Sequence, residues 1–378
     1  MSLTGKKVIK IQEIKFRNNI LNIKESTSSI DDEWDSFLAR SSYGQLEQTS
    51  LWAEAKKPSG WRPYRIVFRR DEEIIGGFQI LWQQKAGVLK LGLLMKGPVV
   101  ETDDSLVLNA VIDCLKMVVK KKFTALLVQT PDKDTRLTSR LLSSGFLPNR
   151  LSGIIKSANV VINLCQDEEH LLKSLKRQKR QNIRIAREAG ITVRQGEYRE
   201  LPIFFDLMRT TCQRRGVAPN PPTAEICEIL WKVFSPKNQI KLFLAEFQGE
   251  IISAVLVLTL GHHASLWKFG WSGKFGQYRP NELLFWEIFN WARIQGYLTA
   301  DLGPFGSFAA DGLTDVTDLG SPEESSDVRF KTGFGGEIIK LQPGLLYIPN
   351  SVYRLIYNSL FPHLLSIPAF QKYISGML

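Results

Sequence analysis

The chain has 378 residues, 44% of them hydrophobic and 23% charged, enough for two ordinary domains and too many for a single core of usual size. A net charge of +11 and a pI near 9.4 favour anionic partners such as RNA, phospholipid or pyrophosphate. Cys114, Cys165, Cys212 and Cys227 form neither a C-x-x-C pair nor a dense framework, which excludes a disulfide scaffold and suits buried thiols in a reducing compartment.

The amino-terminal MSLTGKKVIKIQEIKF carries charges where a signal peptide needs an apolar core. No stretch reaches the roughly 18 apolar residues of a membrane span, so a cytoplasmic protein is expected. From Tyr64 to Glu101 the chain reads as strands: YRIVFRR, a polar turn, IIGGFQILWQ, then VLKLGLLMKGPVVE. Ser105 to Lys121 has the apolar spacing of a helix, with Leu106, Val107, Ala110, Val111, Cys114, Leu115 and Val118, and the strand FTALLVQ follows. This half closes near Pro148.

Between the halves, Glu168 to Gly190 is composed of strong helix formers and stops at a glycine, which predicts one helix. It is the most basic segment, with Lys173, Lys176, Arg177, Lys179, Arg180, Arg184 and Arg187. Phosphates are the natural counter-charge, and a solvated face is the plainer alternative. A second helix is predicted from Leu201 to Arg215.

The second half then repeats the order of the first: IKLFLAEF, a Gln248-Gly249 turn, EIISAVLVLTL, the aromatic strand ASLWKFGWSG, the helix NELLFWEIFNWARIQG and the strand YLTADLG. Glu73-Ile74-Ile75-Gly76-Gly77 answers Glu250-Ile251-Ile252-Ser253-Ala254 at an offset of 177 residues, and Phe123 answers Tyr297 at 174. So constant an offset indicates duplication of one α+β unit. The expected division is 1–150, 151–345 and a carboxy-terminal amphipathic helical tail, 346–378. Asp311 to Asp327 is acidic and aperiodic and reads as a mobile loop, a candidate lid.

Several chemistries are excluded by missing motifs. There is no G-x-x-x-x-G-K-[ST] loop, no G-x-S-x-G elbow and no H-E-x-x-H. His262-His263 has no third ligand at metal spacing, so no metal is expected. Gln213, Gly216 and Ala218 fit the string of an acyl-CoA pyrophosphate turn, but where a helix ends rather than begins, so the fit is read as chance. Trp267, Phe269 and Trp271 alternate with Lys268 and give their strand an aromatic face, more in keeping with core packing than with a ligand. In Arg329-Phe330-Lys331-Thr332-Gly333-Phe334-Gly335-Gly336 one cation lies between two aromatics, where it can hold a phosphate or a developing oxyanion more strongly than in water.

Four stretches in this order resemble the Fem family, whose FemA, FemB and FemX types build the interpeptide bridges of bacterial peptidoglycan. They are Ser42-Tyr43-Gly44-Gln45 through Gln48 and Trp52 to Lys56 with Trp61-Arg62-Pro63; Lys96-Gly97-Pro98-Val99-Val100; the basic segment with Asn182-Ile183-Arg184; and Phe330-Lys331. The resemblance covers about Asp31 to Gly336. It implies two tandem GNAT-like domains, each a mixed, mostly antiparallel sheet flanked by helices. It also implies transfer of an amino acid from aminoacyl-tRNA to an amine of a lipid-linked muropeptide, with no cofactor, by a monomer that touches the inner face of the membrane at most peripherally.

By the same resemblance, Lys331, Phe330 and Asp301 are the catalytic candidates, while Lys56, Trp52, Glu101, Phe269 and Trp267 are precursor-binding candidates. Lys173, Lys176, Arg177, Lys179, Arg180 and Arg184 are those for tRNA phosphates. The chain departs from FemX-type proteins at Asn220-Pro221-Pro222-Thr223-Ala224, where they carry R-P-x-x-Y, and at Phe269, where a tyrosine is expected. It also lacks the coiled-coil arm of FemA and FemB. Two other readings stay open: an N-acyltransferase using acetyl-CoA or another acyl-CoA on a different envelope precursor, and a non-catalytic module that binds RNA or anionic lipid.

Overall fold

A computed structural model describes residues 13–16, 19–150, 155–306 and 326–359. The expected loop from Asp311 lies outside these residues except for its last two positions, Ser326 and Asp327, as does the tail beyond Ser359. In chain order the first half has strands β1 (Glu13–Phe16) and β2 (Asn19–Ser26) and helices α1 (Asp32–Arg40) and α2 (Ser50–Lys56). Strands β3 (Arg62–Arg70), β4 (Glu73–Lys85), β5 (Leu89–Met95) and β6 (Val99–Val100) lead to α3 (Ser105–Lys122), β7 (Ala125–Gln129), α4 (Thr135–Ser143) and β8 (Leu147–Pro148).

The second half runs β9 (Ala158–Asn163), α5 (Glu168–Ser174), α6 (Arg177–Glu188), β10 (Thr192–Gly196), α7 (Leu201–Arg214) and α8 (Ala224–Phe234). It continues through β11 (Ile240–Phe247), β12 (Glu250–Leu260), β13 (His263–Trp271), α9 (Pro280–Ile294), β14 (Thr299–Phe305), α10 (Ser326–Thr332) and β15 (Glu337–Lys340). Strand β16 (Leu345–Tyr347) and helix α11 (Ser351–Ser359) end the described chain.

Glu54–Pro58 and Arg150–Pro343 form one unit; the other is centred on Ser59–Asn149 and includes the chain from Gly344. Each unit is built on one sheet. In the first unit the order is β1-β2-β3-β4-β5-β7-β16-β8, and in the second β10-β11-β12-β13-β14-β9-β15. Each has one parallel pair, β5 with β7 and β13 with β14, and its other ladders are antiparallel. A helix, α3 or α9, makes the crossover that a parallel pair requires. The duplicated words read from the sequence begin equivalent strands, β4 at Glu73 and β12 at Glu250.

The elements follow from their residues. Helix α3 starts where the Asp104 side chain accepts from Leu106 N, and buries a stripe from Val107 through Val119. Strand β12 is buried continuously from Ile252 to Leu260 rather than at alternate positions. Its sheet is covered on both faces: α7 packs on β12 and β13, and α9 on β11 and β12. Gly270 makes the α7 contact close, because a Cβ there would stand 2.4 Å from Met208 N.

Two expectations are corrected. The basic segment is two helices, interrupted at Leu175 and Lys176, which are extended. Nor does a helical tail begin at residue 346. Leu345–Tyr347 is a strand seated between β7 and β8 of the first unit, and Asn149 N donates to Gly344 O at 2.8 Å. In the second unit the equivalent seat is taken by β9, which precedes the unit's other strands in the chain. Three residues carry too short a pattern to separate a strand from the start of an apolar helix.

If β16 is integral to the first unit, Leu345→Ala should cost about 2–5 kcal/mol of its stability, since Leu345 is 1% exposed. Urea unfolding followed by Trp34 and Trp82 fluorescence checks this; a loss under about 0.5 kcal/mol would mean that the strand merely rests on the sheet.

Candidate functional site

In the second unit, β13 and β14 pair only from His263–Ser265 to Thr299–Asp301, although both strands continue. Beyond that point each carries an irregularity on its other side. The β12–β13 register shifts at Leu256/Val257, leaving Trp267 as the extra residue, and the β14–β9 register shifts between Asp301 and Pro304. Bulges of this kind bend strands and re-aim side chains. The result is an opening between diverging strands, where backbone groups are left for side chains to use.

Lys331 and Asp301 use them, and both meet at Gly303. The Lys331 ammonium donates to Gly303 O at 3.0 Å and Pro304 O at 3.4 Å and pairs with Asp327 Oδ2 at 3.1 Å, with the side chain 12% exposed. Asp301 accepts from Gly303 N and from Asn159 Nδ2, each at 2.6 Å. Gly303 has φ +83°, and a Cβ there would lie 3.8 Å from both Leu266 O and Lys331 Nζ. The ammonium therefore stands at the mouth of the opening, over the gap between β13 and β14. Arg215 reaches Asp327 from the side at 3.4 Å.

Helix α10, which carries Lys331, is held from below. Lys179 Nζ lies 3.6 Å from the centroid of the Phe330 ring and 4.6 Å from that of Phe334, and pairs with Glu282 Oε1 at 3.1 Å. Asn182 Nδ2 donates to the same oxygen at 2.9 Å. Burial lowers the Lys179 pKa, with Glu282 opposing the shift. The glycines of the Phe330–Gly336 run are explained by close approach. A Cβ on Gly333 would meet the Lys179 stem at 2.7 Å, one on Gly335 would meet Ser174 O at 2.1 Å, and Lys176 N donates to Gly333 O at 3.0 Å.

Lys179 is therefore corrected: it is a buried anchor, not a phosphate contact. Of its neighbours, Lys173 pairs with Glu169, Arg184 with Glu188, and Arg180 donates to Lys173 O and Leu175 O. Lys176 and Arg177 are exposed at the start of α6, whose first turn has no side-chain cap. Phe269 is half-buried against Phe285, centroids 5.7 Å apart, and belongs to the aromatic core that includes Phe330 and Phe334. Trp267 is half-buried with Lys268 Nζ 5.3 Å from its ring centroid. Among the described residues no group of His, Cys, Asp and Glu could hold a metal.

On α2, Trp52 and Lys56 lie one turn apart and are half-buried. Glu101 is exposed, accepts from the Ser41 hydroxyl and, at 3.4 Å, from Tyr43 N. The Tyr43 ring is capped by Arg136, 4.6 Å from its centroid. The other residues of the first-half motifs build the frame. Gln48, fully buried, donates to Met95 O at 2.7 Å and accepts from Gln79 N at 2.8 Å, while its backbone carbonyl takes the Trp34 indole at 2.7 Å. A Cβ on Gly97 would strike the Gln48 side chain at 2.8 Å, and one on Gly44 would overlap Leu38 O at 1.8 Å. Lys96 pairs with Asp132.

Sequence reasoning passed over Lys268, which it treated as the polar partner of an aromatic face. It also missed Glu282, because one acid in an apolar helix gives no sign of the lysine it meets 103 positions away.

Glu282→Ala should destabilise the second unit by about 3–5 kcal/mol by leaving Lys179 buried and unpaired. Lys179→Met with Glu282→Gln should recover most of that loss. Thermal unfolding of the two variants compares them, and equal losses would argue against a coupled pair.

Residues 29–140 match the FemAB family and residues 173–311 the acetyltransferase (GNAT) domain. The Lipid II:glycine glycyltransferase of Staphylococcus aureus strain COL is 29% identical over 197 residues, 49% of this chain and 47% of that protein, as is its counterpart in strain MRSA252. The chain thus spans about half the length of these relatives. Among solved structures, FemX superposes with a TM-score of 0.76 at 21% identity, covering 88% of this chain and 99% of FemX. A tandem GNAT protein of the clavulanic acid pathway gives 0.52 at 9%, covering 87% and 99%. The first half of the chain is thus similar to the FemAB family and the second to the acetyltransferase (GNAT) domain, on a fold shared with FemX.

Proposed function

We propose that the protein is an aminoacyltransferase that moves an amino acid from aminoacyl-tRNA to a free amine of a lipid-linked peptidoglycan precursor. The observation that carries this reading is the Lys331 ammonium, fixed by two carbonyls and a carboxylate at the opening between β13 and β14. Similarity to proteins named as Lipid II:glycine glycyltransferases supports the choice of substrates.

The reaction joins the amine nitrogen to the ester carbonyl carbon, passes through a tetrahedral oxyanion and breaks the bond to the ribose oxygen. A fixed cation in a partly dry site stabilises such an oxyanion without the reorganisation that water needs. Lys331 has this role: Asp327 and the carbonyls keep it aimed, and Phe330 fixes its helix from the other side. Asp301, with both carboxylate oxygens accepting hydrogen bonds, holds the backbone of Gly303 and so shapes the same site.

Lys176 and Arg177, exposed at an uncapped helix start, meet tRNA phosphates; amide N–H groups and positive side chains there share one direction. Trp52 and Lys56 on α2, and Glu101, take the precursor. No helix among the described residues is long and apolar enough to cross a membrane. Contact with the leaflet that holds the precursor falls to α11, on which Val352, Tyr353, Leu355 and Ile356 are exposed.

The test is to incubate the protein with a charged tRNA pool and a lipid-linked muropeptide and to weigh the product. A mass gain of one or more amino-acid residues is expected, with Lys331→Met slower by about 10²–10³ in kcat. An unchanged acceptor across the whole pool would reject the reading.

A further inference from the structure

Aminolysis of an ester also needs a group that removes a proton from the attacking nitrogen, and none of the residues above is free to do so. Lys331 is paired with Asp327, and Asp301 is occupied as a hydrogen-bond acceptor. Strand β13, which borders the opening, carries a second lysine. Lys268 lies three residues beyond the last paired position of β13, next to the extra residue Trp267 of the β12–β13 bulge. Its nitrogen rests 5.3 Å from the centroid of the Trp267 ring, and among the described residues no carboxylate pairs with it.

The charged and titratable groups facing Lys268 are few. Cys212 comes from α7, Cys227 from α8 and Lys331 from α10. Cys227 is a buried thiol whose pKa is itself pushed up to about 12 by burial, so it stays neutral and offers no counter-charge. Burial holds the Lys268 ammonium below the usual lysine range, with Cys212 and Cys227 opposing the shift and Lys331 adding a smaller push in the same direction. The two lysines thus differ: Lys331 has a carboxylate partner, whereas Lys268, which burial holds below the usual lysine range, has none among the described residues. Such divergence marks an acid–base division of labour.

We infer that Lys268, resting on the acyl-transfer reading above, is the catalytic base that takes the proton from the attacking amine. As the nitrogen–carbon bond forms, the neutral Lys268 Nζ accepts a proton from the nitrogen. When the carbon–oxygen ester bond breaks, its electron pair goes to the ribose oxygen, and Lys268 returns the proton there, ending neutral. Lys331 carries the oxyanion between these steps and exchanges no proton.

Two measurements on the full chain test this. First, the wild-type protein and Lys268→Met are assayed for transfer from glycyl-tRNA to a lipid-linked muropeptide across pH 6–10. In the wild type, kcat/KM should rise with pH as Lys268 loses its proton, below the range in which the acceptor amine itself titrates. Lys268→Met should lose about 10²–10⁴ in kcat and this lower limb, keeping only the limb of the acceptor. Lys268→Arg, which retains a cation but no usable base, should not restore the rate.

Second, lysine ε-carbon NMR, with Lys268→Arg to assign the signal, should show Lys268 titrating below the other lysines. A Lys268 signal that titrates with the bulk, a lower limb that persists in Lys268→Met, or rescue by arginine would overturn the assignment while transfer stands. A wild-type protein that transfers nothing would overturn the transfer reading and this step together.

Discussion

Everything in the second unit depends on where one pair of parallel strands stops pairing. Strands β13 and β14 share a ladder only as far as Ser265 and Asp301, and bulges on their outer sides turn both away from each other. A sheet that closed normally would consume its own carbonyls and amides. This one leaves Gly303 and Pro304 to grip an ammonium and a carboxylate, and sets charged groups in a gap where water is scarce. In the first unit β5 and β7 pair over five positions, Leu91–Met95 with Ala125–Gln129, so the same plan there has less of an opening. The two sheets follow one plan; their ladders differ in how far they run.

Holding a lysine at such a gap has a cost, and the second unit meets it from beneath. The pair Lys179–Glu282 is buried, shares its carboxylate oxygen with Asn182 and lies against two phenylalanine rings. Breaking one partner of such a pair costs more than the pair itself contributes, which makes it a device for position rather than for stability. It joins α6, α9 and α10, and α10 carries Lys331. The close approaches at Gly333 and Gly335 serve the same end, because any side chain there would lift α10 from its seat.

The strands and long helices were legible because their periods are clear: Arg62–Arg70, Glu73–Lys85, Ser105–Lys122, Glu250–Leu260 and Pro280–Ile294 all stand where the pattern predicts. The repeat offset also survived, since Glu73 and Glu250 open equivalent strands. What pattern cannot carry is partnership between distant positions. Lys179 reads as one more charge on a basic helix until Glu282 and the two rings are seen around it. Leu345–Tyr347 reads as the start of an apolar tail until β7 and β8 are found on either side. Lys268 looks like the polar half of an alternating strand, and only the bulge at Trp267 and the lack of a carboxylate partner among the described residues set it apart. The resemblance motifs of the first half mix two kinds of residue: Gln48, Gly44 and Gly97 are frame, whereas Glu101 is exposed and Trp52 and Lys56 are half-buried.

The central claim is that the acyl carbonyl sits at the β13–β14 opening within reach of Lys331. A crystal structure with a short RNA ending in C-C-A, its terminal adenosine carrying glycine through a stable amide instead of the ester, tests it most directly. The account predicts the glycyl carbonyl oxygen within hydrogen-bond distance of Lys331 Nζ. Density for the aminoacyl group anywhere else, with the opening between the two strands left untouched, would contradict it.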